Sequence, residues 1–253
     1  MKLRIVITGA SSGIGFQLAR LYLEEGHIVG LISRRIDMLS PLEESWPGSC
    51  VAYGADVRDL QAMHKASSDF ISRFGCPDIV IANAGISIGN LTEHAEDIET
   101  FQHIFDTNVI GMVKTFQPYI EAMKRNGRGK LVGMASVAGF RGLPGASAYS
   151  SSKAAVICYL EGLRAELYGS GIEVITICPG YVETPMTDVN PYPMPFLVKA
   201  DAAARKIIKA VSEGKIFYTF PWQMKIVGKI LNMLPDRLHA LLFSRAPRKP
   251  RIQ

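Results

Sequence analysis

Short apolar runs alternate along the chain with segments whose apolar residues recur at helical spacing. The runs predicted to be strands cover residues 3–7, 27–32, 51–55, 79–82, 130–135 and 173–178. Helices are predicted in most of the gaps, over residues 14–25, 60–74, 98–124, 148–168 and 200–212. Strands that alternate with helices favour a parallel sheet, because parallel strands need crossover connections that are usually helical. The pattern therefore predicts an α/β fold, a doubly wound parallel sheet with helices on both faces.

Two segments depart from this alternation. Residues 187–198 hold three prolines among bulky apolar side chains, which indicates an apolar loop or lid. Residues 221–253 follow the last predicted helix and carry an amphipathic pattern of their own. We therefore expect one domain over residues 1–220, with a substrate loop at 187–198, and a basic C-terminal extension over residues 221–253.

Charge is unevenly distributed along the 253 residues. The chain has 28 basic and 23 acidic residues, a net charge of +5, and seven of the basic residues but only one acidic residue lie in the extension. The body is therefore near neutral, and this asymmetry predicts a partner for the extension.

The four cysteines and five histidines are scattered, so neither a disulfide framework nor a metal site is expected. With no signal peptide and no long apolar run, a cytoplasmic protein is predicted.

The extension begins with a predicted amphipathic helix. Lys225, Lys229 and Asn232 share one stripe, and apolar residues that include Trp222 share the other side. One hypothesis is that the apolar side packs on the body as a lid near the substrate cleft. The other is that the helix lies peripherally on the inner face of an anionic membrane, with Trp222 at headgroup level. Nucleic acid is not expected as a partner, because the body is neutral and lacks a base-reading motif.

The first candidate for chemistry is a glycine-rich turn between the first predicted strand and helix. Residues 8–15 read TGASSGIG. Glycines let backbone N–H groups approach a pyrophosphate, and the start of a helix adds favourable partial charge. The alternative is a tight strand-to-helix turn with no ligand, but the strand–turn–helix context favours a phosphate cradle.

Two arginines, Arg34 and Arg35, follow the second predicted strand. In a dinucleotide-binding sheet the ribose of the adenosine lies at this point, where an acid would bind a free 2′-hydroxyl and an Arg accommodates a 2′-phosphate. No acid occurs before Asp37. The pattern favours a 2′-phosphate, and an exposed pair of surface arginines is the alternative.

Tyr149 and Lys153 are four residues apart in a predicted helix, so they share one face. A phenol normally titrates near ~10, and a neighbouring ammonium would lower its pKa toward the working range of an acid or base. Ser136 follows the fifth predicted strand, where ligands meet the carboxyl end of such a sheet.

Taken together, these motifs resemble the compact branch of the short-chain dehydrogenase/reductase family over about residues 3–185. The matching motifs are TGASSGIG at Thr8–Gly15, Asp56, Asn83-Ala84-Gly85, Asn108, Ser136, Tyr149, Lys153 and Pro179-Gly180.

The resemblance implies a single-domain Rossmann-like fold and a set of site roles. Tyr149 would be the acid in reduction and the base in oxidation, Lys153 would lower its pKa and hold the nicotinamide ribose, Ser136 would bind the substrate oxygen, and Asn108 would help to hold a relay water. The cofactor-binding residues it implies are Gly9, Ser11, Ser12, Gly13, Ile14, Gly15, Arg34, Arg35, Asp56, Val57, Asn83, Ala84, Gly85, Tyr149, Lys153, Pro179, Gly180, Val182 and Thr184.

One position departs from the pattern of many NADPH users in the family. They place a Lys or Arg within the glycine-rich turn, where this chain has Ser12. The predicted preference for NADP(H) over NAD(H) therefore rests on Arg34 and Arg35.

The resulting hypothesis is an NADP(H)-dependent oxidoreductase that reduces an apolar or lipid-like ketone to a secondary alcohol, or catalyses the reverse. The alternatives are an NAD-linked alcohol dehydrogenase and a non-catalytic NADPH sensor that acts through its basic extension. The intact Ser136, Tyr149 and Lys153 disfavour the sensor. The resemblance also implies a homodimer or homotetramer, formed through the helices near 98–124 and 148–168.

Overall fold

The computed structural model describes residues 2–251. Its strands are β1 (Arg4–Thr8), β2 (Ile28–Ser33), β3 (Cys50–Gly54), β4 (Ile79–Ala82), β5 (Gly129–Met134), β6 (Ile172–Pro179), β7 (Val182–Glu183), β8 (Val198–Lys199) and β9 (Phe217–Phe220). Its α-helices are α1 (Gly13–Glu24), α2 (Ser40–Ser45), α3 (Leu60–Phe74), α4 (Asp97–Phe105), α5 (Gly111–Asn126), α6 (Ser147–Glu166), α7 (Pro185–Asp188), α8 (Ala200–Ser212), α9 (Trp222–Met233) and α10 (Asp236–Phe243).

The main sheet has seven strands in the order β3-β2-β1-β4-β5-β6-β9, and each neighbouring pair runs parallel. Strands β7 and β8 form a separate two-residue pairing. The order reverses between β1 and β4, so a crevice opens there at the carboxyl ends of the strands. The predicted doubly wound, Rossmann-like fold is confirmed.

Hydrophobic cores cover both faces of the sheet. Strand β1 illustrates the arrangement, because Ile5 and Ile7 join the core that contains Leu18 of α1 and Ile207 of α8. Val6, between them, points to the other face and joins the core built by α3, α5 and α6. Burial on both faces explains why the strands appear in the sequence as nearly continuous apolar runs.

The structure corrects two expectations about local structure. The predicted helix over residues 98–124 is divided into α4 and α5 by a π-helical segment, Asp106–Ile110. Strand β9, which the apolar pattern does not predict, adds the seventh strand beside β6. Within residues 2–251, none of the helices combines the length and apolar character that crossing a bilayer requires.

Candidate active site

The glycine-rich turn joins β1 to α1 at the crevice. Gly9 and Gly13 adopt left-handed backbone angles, with φ values of 67° and 57°, which favour glycine. Ser12 has an extended backbone and precedes the first residue of α1, and Ile14 lies half-buried in the first turn. The first amide groups of a helix lack intrahelical partners, so this turn directs N–H donors toward the crevice, as a pyrophosphate requires.

Gly15 lets the turn approach the end of β4 closely. A β-carbon placed on it would lie 2.4 Å from the Gly9 carbonyl oxygen and 2.5 Å from Asn83 Nδ2. Asn83 Nδ2 donates to the carbonyl oxygens of Thr8 and Gly9 at 3.0 and 3.2 Å. Thr8 Oγ1 accepts from the backbone N–H groups of Asn83 and Ala84, both at 3.1 Å. The Asn-Ala-Gly motif therefore fixes the glycine-rich turn.

The two arginines after β2 take different positions. Arg35 Nη2 donates to the hydroxyls of Ser11 and Ser12, at 2.9 and 3.1 Å. Arg34 is exposed on the side of Asp56, where its positive charge helps to lower the pKa of that carboxyl. Both guanidinium groups thus border the start of the crevice, with Arg35 at the glycine-rich turn.

Asp56 is bound by a neighbour. Its carboxylate accepts from the backbone N–H of Arg58 at 2.9 Å and pairs with the Arg58 guanidinium at 2.7 Å. This hydrogen bonding lowers the pKa of Asp56. Val57 is buried and packs toward Gly111 of α5. Any contact of the Asp56 carboxylate with an adenine therefore competes with the Arg58 ion pair.

Asn108 lies in the π-helical segment and is fully buried. Its Oδ1 accepts from the Ile86 N–H at 2.8 Å, and its Nδ2 donates to the Ile86 carbonyl and to Ser152 Oγ, each at 3.0 Å. Both amide donors are therefore used within the protein. The side-chain N–H groups of Asn108 are thus not available to bind the expected relay water. They hold the loop after β4 instead.

Tyr149, Lys153 and Ser136 are brought together at the carboxyl end of the sheet. Lys153 Nζ lies 5.8 Å from the centroid of the Tyr149 ring and donates to the Met134 carbonyl oxygen at 2.7 Å. Ser136 follows β5 and contacts Tyr149 closely enough to influence its titration. A β-carbon on Gly85 would lie 3.6 Å from Lys153 Nζ, so the motif after β4 also borders this cluster.

Burial shifts the pKa values of Tyr149 and Lys153. Burial raises the pKa of Tyr149, and the Ser136 side chain beside it opposes this only in part. The effect of the Lys153 charge on the Tyr149 pKa stays a prediction. Burial also lowers the pKa of Lys153 to about 8, while the nearby Cys178 acts in the opposite direction. Tyr149 consequently holds its proton at neutral pH.

The loop after β6 contributes four predicted residues, Pro179, Gly180, Val182 and Thr184. A β-carbon on Gly180 would lie 2.8 Å from Met224 Cγ of α9, so this glycine permits close packing. Val182 is buried in the core. Thr184 approaches the glycine-rich turn, because a β-carbon on Gly13 would lie 3.0 Å from its Cγ2. The loop after β6 therefore reaches the glycine-rich turn at Thr184.

A further contributor, the C-terminal strap (residues 248–251), was not predicted to touch the body. Arg251 donates to both carboxylate oxygens of Asp97, at 2.8 and 3.0 Å, and to Glu96 at 2.8 Å. Hydrogen bonding to Arg251 is the largest cause of the lowered pKa of Asp97. The strap is therefore anchored at the start of α4.

The strap contacts three loops that follow neighbouring strands of the sheet. Gly89, after β4, donates its N–H to a strap carbonyl at 3.1 Å. Gly145, after β5, faces the Arg248 side chain. Lys249 is buried and donates to the Met186 carbonyl, after β6, at 3.0 Å. These loops follow the carboxyl ends of three neighbouring strands, so the strap borders the region where a substrate would enter.

The fold and this cluster define an oxidoreductase of the doubly wound, dinucleotide-binding class. The family model described as short chain dehydrogenase matches residues 4–192, and the chain belongs to this family. An uncharacterized oxidoreductase of Myxococcus xanthus is 35% identical over 236 residues, which cover 92% of this chain and 93% of the relative. The ketoacyl reductase HetN of Nostoc is 31% identical, with 93% and 87% covered.

A solved structure extends the likeness to a complex with a ligand. A short chain dehydrogenase from Burkholderia cenocepacia, in complex with NADP, superposes with a TM-score of 0.83 at 26% identity, covering 95% of this chain and 97% of that one. The chain is thus an oxidoreductase that acts on hydroxyl or carbonyl groups with a nicotinamide cofactor.

Proposed function

We propose that this enzyme reduces an apolar ketone to a secondary alcohol with NADPH, and catalyses the reverse oxidation when alcohol and NADP⁺ are in excess. The observation that carries the proposal is the cluster of Tyr149, Ser136 and Lys153 at the carboxyl end of the sheet. A bound nicotinamide cofactor would supply the hydride that is added to the carbonyl carbon.

The raised pKa of Tyr149 suits reduction. A phenol that stays protonated at neutral pH can give its proton to the carbonyl oxygen as negative charge develops there. Ser136, whose side chain lies beside Tyr149, is placed to donate to the same oxygen. In the reverse reaction, the Tyr149 phenolate would accept the hydroxyl proton.

Lys153 completes the proton path in this proposal. Its ammonium is buried beside Tyr149, and its pKa of about 8 lets it exchange a proton near neutral pH. The positive charge stabilises the phenolate that Tyr149 becomes after it has donated. Lys153 also remains the residue proposed to hold the nicotinamide ribose.

The residues around the crevice fit a dinucleotide. The turn at Gly13 offers the N–H groups of a helix start, and the absence of a β-carbon at Gly9 and Gly15 allows the turn its close approach to β4. The side of the crevice at Arg34 and Arg35 is cationic, which supports a 2′-phosphate there and hence a preference for NADPH.

We expect Arg34→Ala and Arg35→Ala each to weaken NADPH binding by roughly ten- to a hundredfold. A charge-assisted hydrogen bond to a phosphate contributes about 1.5–3 kcal/mol, and NADH, which lacks the 2′-phosphate, should lose little affinity. Fluorescence titration with each cofactor measures the two dissociation constants.

The matched control is Arg205→Ala, which removes an exposed arginine from α8. It should leave both dissociation constants unchanged. If Arg34→Ala and Arg35→Ala weakened NADH as much as NADPH, the arginines would serve the turn and not the 2′-phosphate, and the NAD-linked alternative would be favoured.

The substrate class is proposed from the loop after β6. Val189, Phe196 and Leu197 expose apolar side chains in this segment. These residues favour a hydrophobic ketone, in keeping with the ketoacyl reductase among the relatives. The direct test is a panel of ketones of increasing chain length with NADPH, followed by the loss of nicotinamide absorbance. Failure to oxidise NADPH with every ketone, together with tight NADPH binding, would favour the sensor alternative.

A further inference from the structure

Helix α9 turns its apolar stripe away from the protein. Trp222, Ile226, Ile230 and Met233 are 67%, 48%, 57% and 83% exposed, and their spacing of four, four and three residues places them on one face. The hypothesis that this side packs on the body as a lid is therefore wrong.

The inner side of α9 is formed by small and flexible residues. Met224 is buried against Gly180, and a β-carbon on Gly228 would lie 2.2 Å from the Phe140 ring. Phe140 follows the turn that begins at Ser136. The helix is thus fixed beside the active site, and the outward direction of Trp222 follows from this packing.

Helix α10 continues the exposed apolar surface. Leu238, Leu241 and Leu242 are all exposed. Arg141 donates to the Leu234 carbonyl and to Asp236 at 3.2 and 2.6 Å, which fixes the connection between the two helices. We call the exposed apolar residues of α9 and α10 the docking face, comprising Trp222, Ile226, Ile230, Met233, Leu238, Leu241 and Leu242.

The docking face is accompanied by positive charge. Lys225, Lys229, Arg237 and Arg245 are exposed on the two helices and at the end of α10. The one acid of the same stretch, Asp236, is already paired with Arg141. By contrast, Arg251 and Lys249 of the strap are turned to the body. Of the exposed basic residues of the extension, all but Arg248 of the strap therefore accompany the docking face.

We propose that α9 and α10 bind the surface of an anionic lipid bilayer. An exposed apolar stripe with an indole at one end and lysines beside it has the composition of an interfacial helix, whose apolar side enters the boundary between headgroups and acyl chains. A second copy of the chain fits less well. In a two-fold symmetric contact the same patch meets itself, so the four cations would face each other.

This surface lies next to the active site, because α9 packs on Gly180 and Phe140. Binding to a bilayer would therefore hold the substrate entrance near lipid. That consequence rests on the proposed function. The docking itself does not, and docking can be measured without cofactor or substrate.

The experiment is cosedimentation of the full chain with vesicles of phosphatidylcholine and phosphatidylglycerol, compared with vesicles of phosphatidylcholine alone. We expect binding to the anionic vesicles that salt reverses. Each basic residue near an anionic surface is worth roughly a fivefold change in partitioning, so Lys225→Glu/Lys229→Glu should weaken binding by at least roughly thirtyfold. Lys206→Glu/Lys209→Glu on α8 is the matched control and should bind as the unaltered protein does.

A spectroscopic measurement tests the apolar contact separately. The chain has two tryptophans, so Trp46→Phe leaves Trp222 as the sole indole. Its emission should move to shorter wavelength when anionic vesicles are added, because the indole leaves water.

Two results would overturn the proposal. One is a protein that stays in the supernatant with anionic vesicles at low salt. The other is a dimer that Trp222→Ser/Ile230→Ser converts to a smaller species in sedimentation velocity, since the docking face would then join two copies of the chain. The four positions substituted in the docking face and beside it, Trp222, Lys225, Lys229 and Ile230, are exposed, so these variants should keep the fold, which circular dichroism checks.

Discussion

Replacing Tyr149 with Phe is expected to lower kcat by at least ~100-fold while leaving the dissociation constant of NADPH nearly unchanged. The substitution keeps the ring and removes the hydroxyl that Ser136 contacts. Without this acid, the developing negative charge on the carbonyl oxygen has no positioned proton, and a positioned acid typically contributes 10²–10⁴-fold. Steady-state kinetics with any ketone found in the panel, together with NADPH titration, measures both quantities.

Tyr168→Phe provides the matched control, because Tyr168 is 92% exposed just beyond the end of α6. It should retain full turnover. Near-normal turnover of Tyr149→Phe would show that another group protonates the oxygen and that the assigned acid is wrong. A loss of NADPH binding in the same variant would instead indicate a structural role for the hydroxyl.

Most of the sheet could be predicted because its strands are buried on both faces. Parallel strands such as β4 (Ile79–Ala82) are entirely buried and therefore contain no polar interruption. Strand β9 lacks this signal, because it has four residues, lies at the sheet edge and begins with the exposed Phe217. Its position depends on backbone pairing with β6, which no local pattern encodes.

The candidate site shows the same division between local and tertiary information. Tyr149 and Lys153 could be paired from the sequence, because a spacing of four puts them on one helix face. The hydrogen bond from Lys153 to the Met134 carbonyl spans 19 residues, and the burial that raises the pKa of Tyr149 arises only when the sheet and α6 pack together. The sequence therefore supports the identity of the pair and not its titration.

The C-terminal extension was predicted from its charge and from an amphipathic pattern at its start, and net charge does not distinguish its two ends. Arg251 and Asp97 are separated by 154 residues, yet they form an ion pair. Lys225 and Lys229 belong to the same basic segment and remain exposed. Net charge thus indicated that the segment binds something, whereas the structure divides it into a strap that binds the body and a face that is open.

Lys153→Met is expected to reduce kcat by at least ~100-fold and, unlike Tyr149→Phe, also to weaken NADPH binding. The variant loses the ammonium beside Tyr149 and the proposed contact with the nicotinamide ribose. The pH dependence should change as well. Because the pKa of Lys153 is lowered to about 8, the ammonium is present below that pH and lost above it. Reduction by the unaltered enzyme should therefore decline as pH rises through about 8.

In Lys153→Met this decline should disappear, and reduction should be slow at all pH values. Alcohol oxidation instead becomes faster as pH rises, because it needs the Tyr149 phenolate. Removing the positive charge of Lys153 raises the pKa of Tyr149 further, so in Lys153→Met the rise of the oxidation rate should move to higher pH. Lys124→Met, an exposed position on α5, should show neither change. A Lys153→Met variant that kept the decline near pH 8 and its affinity for NADPH would assign both the titration and the ribose contact to other groups.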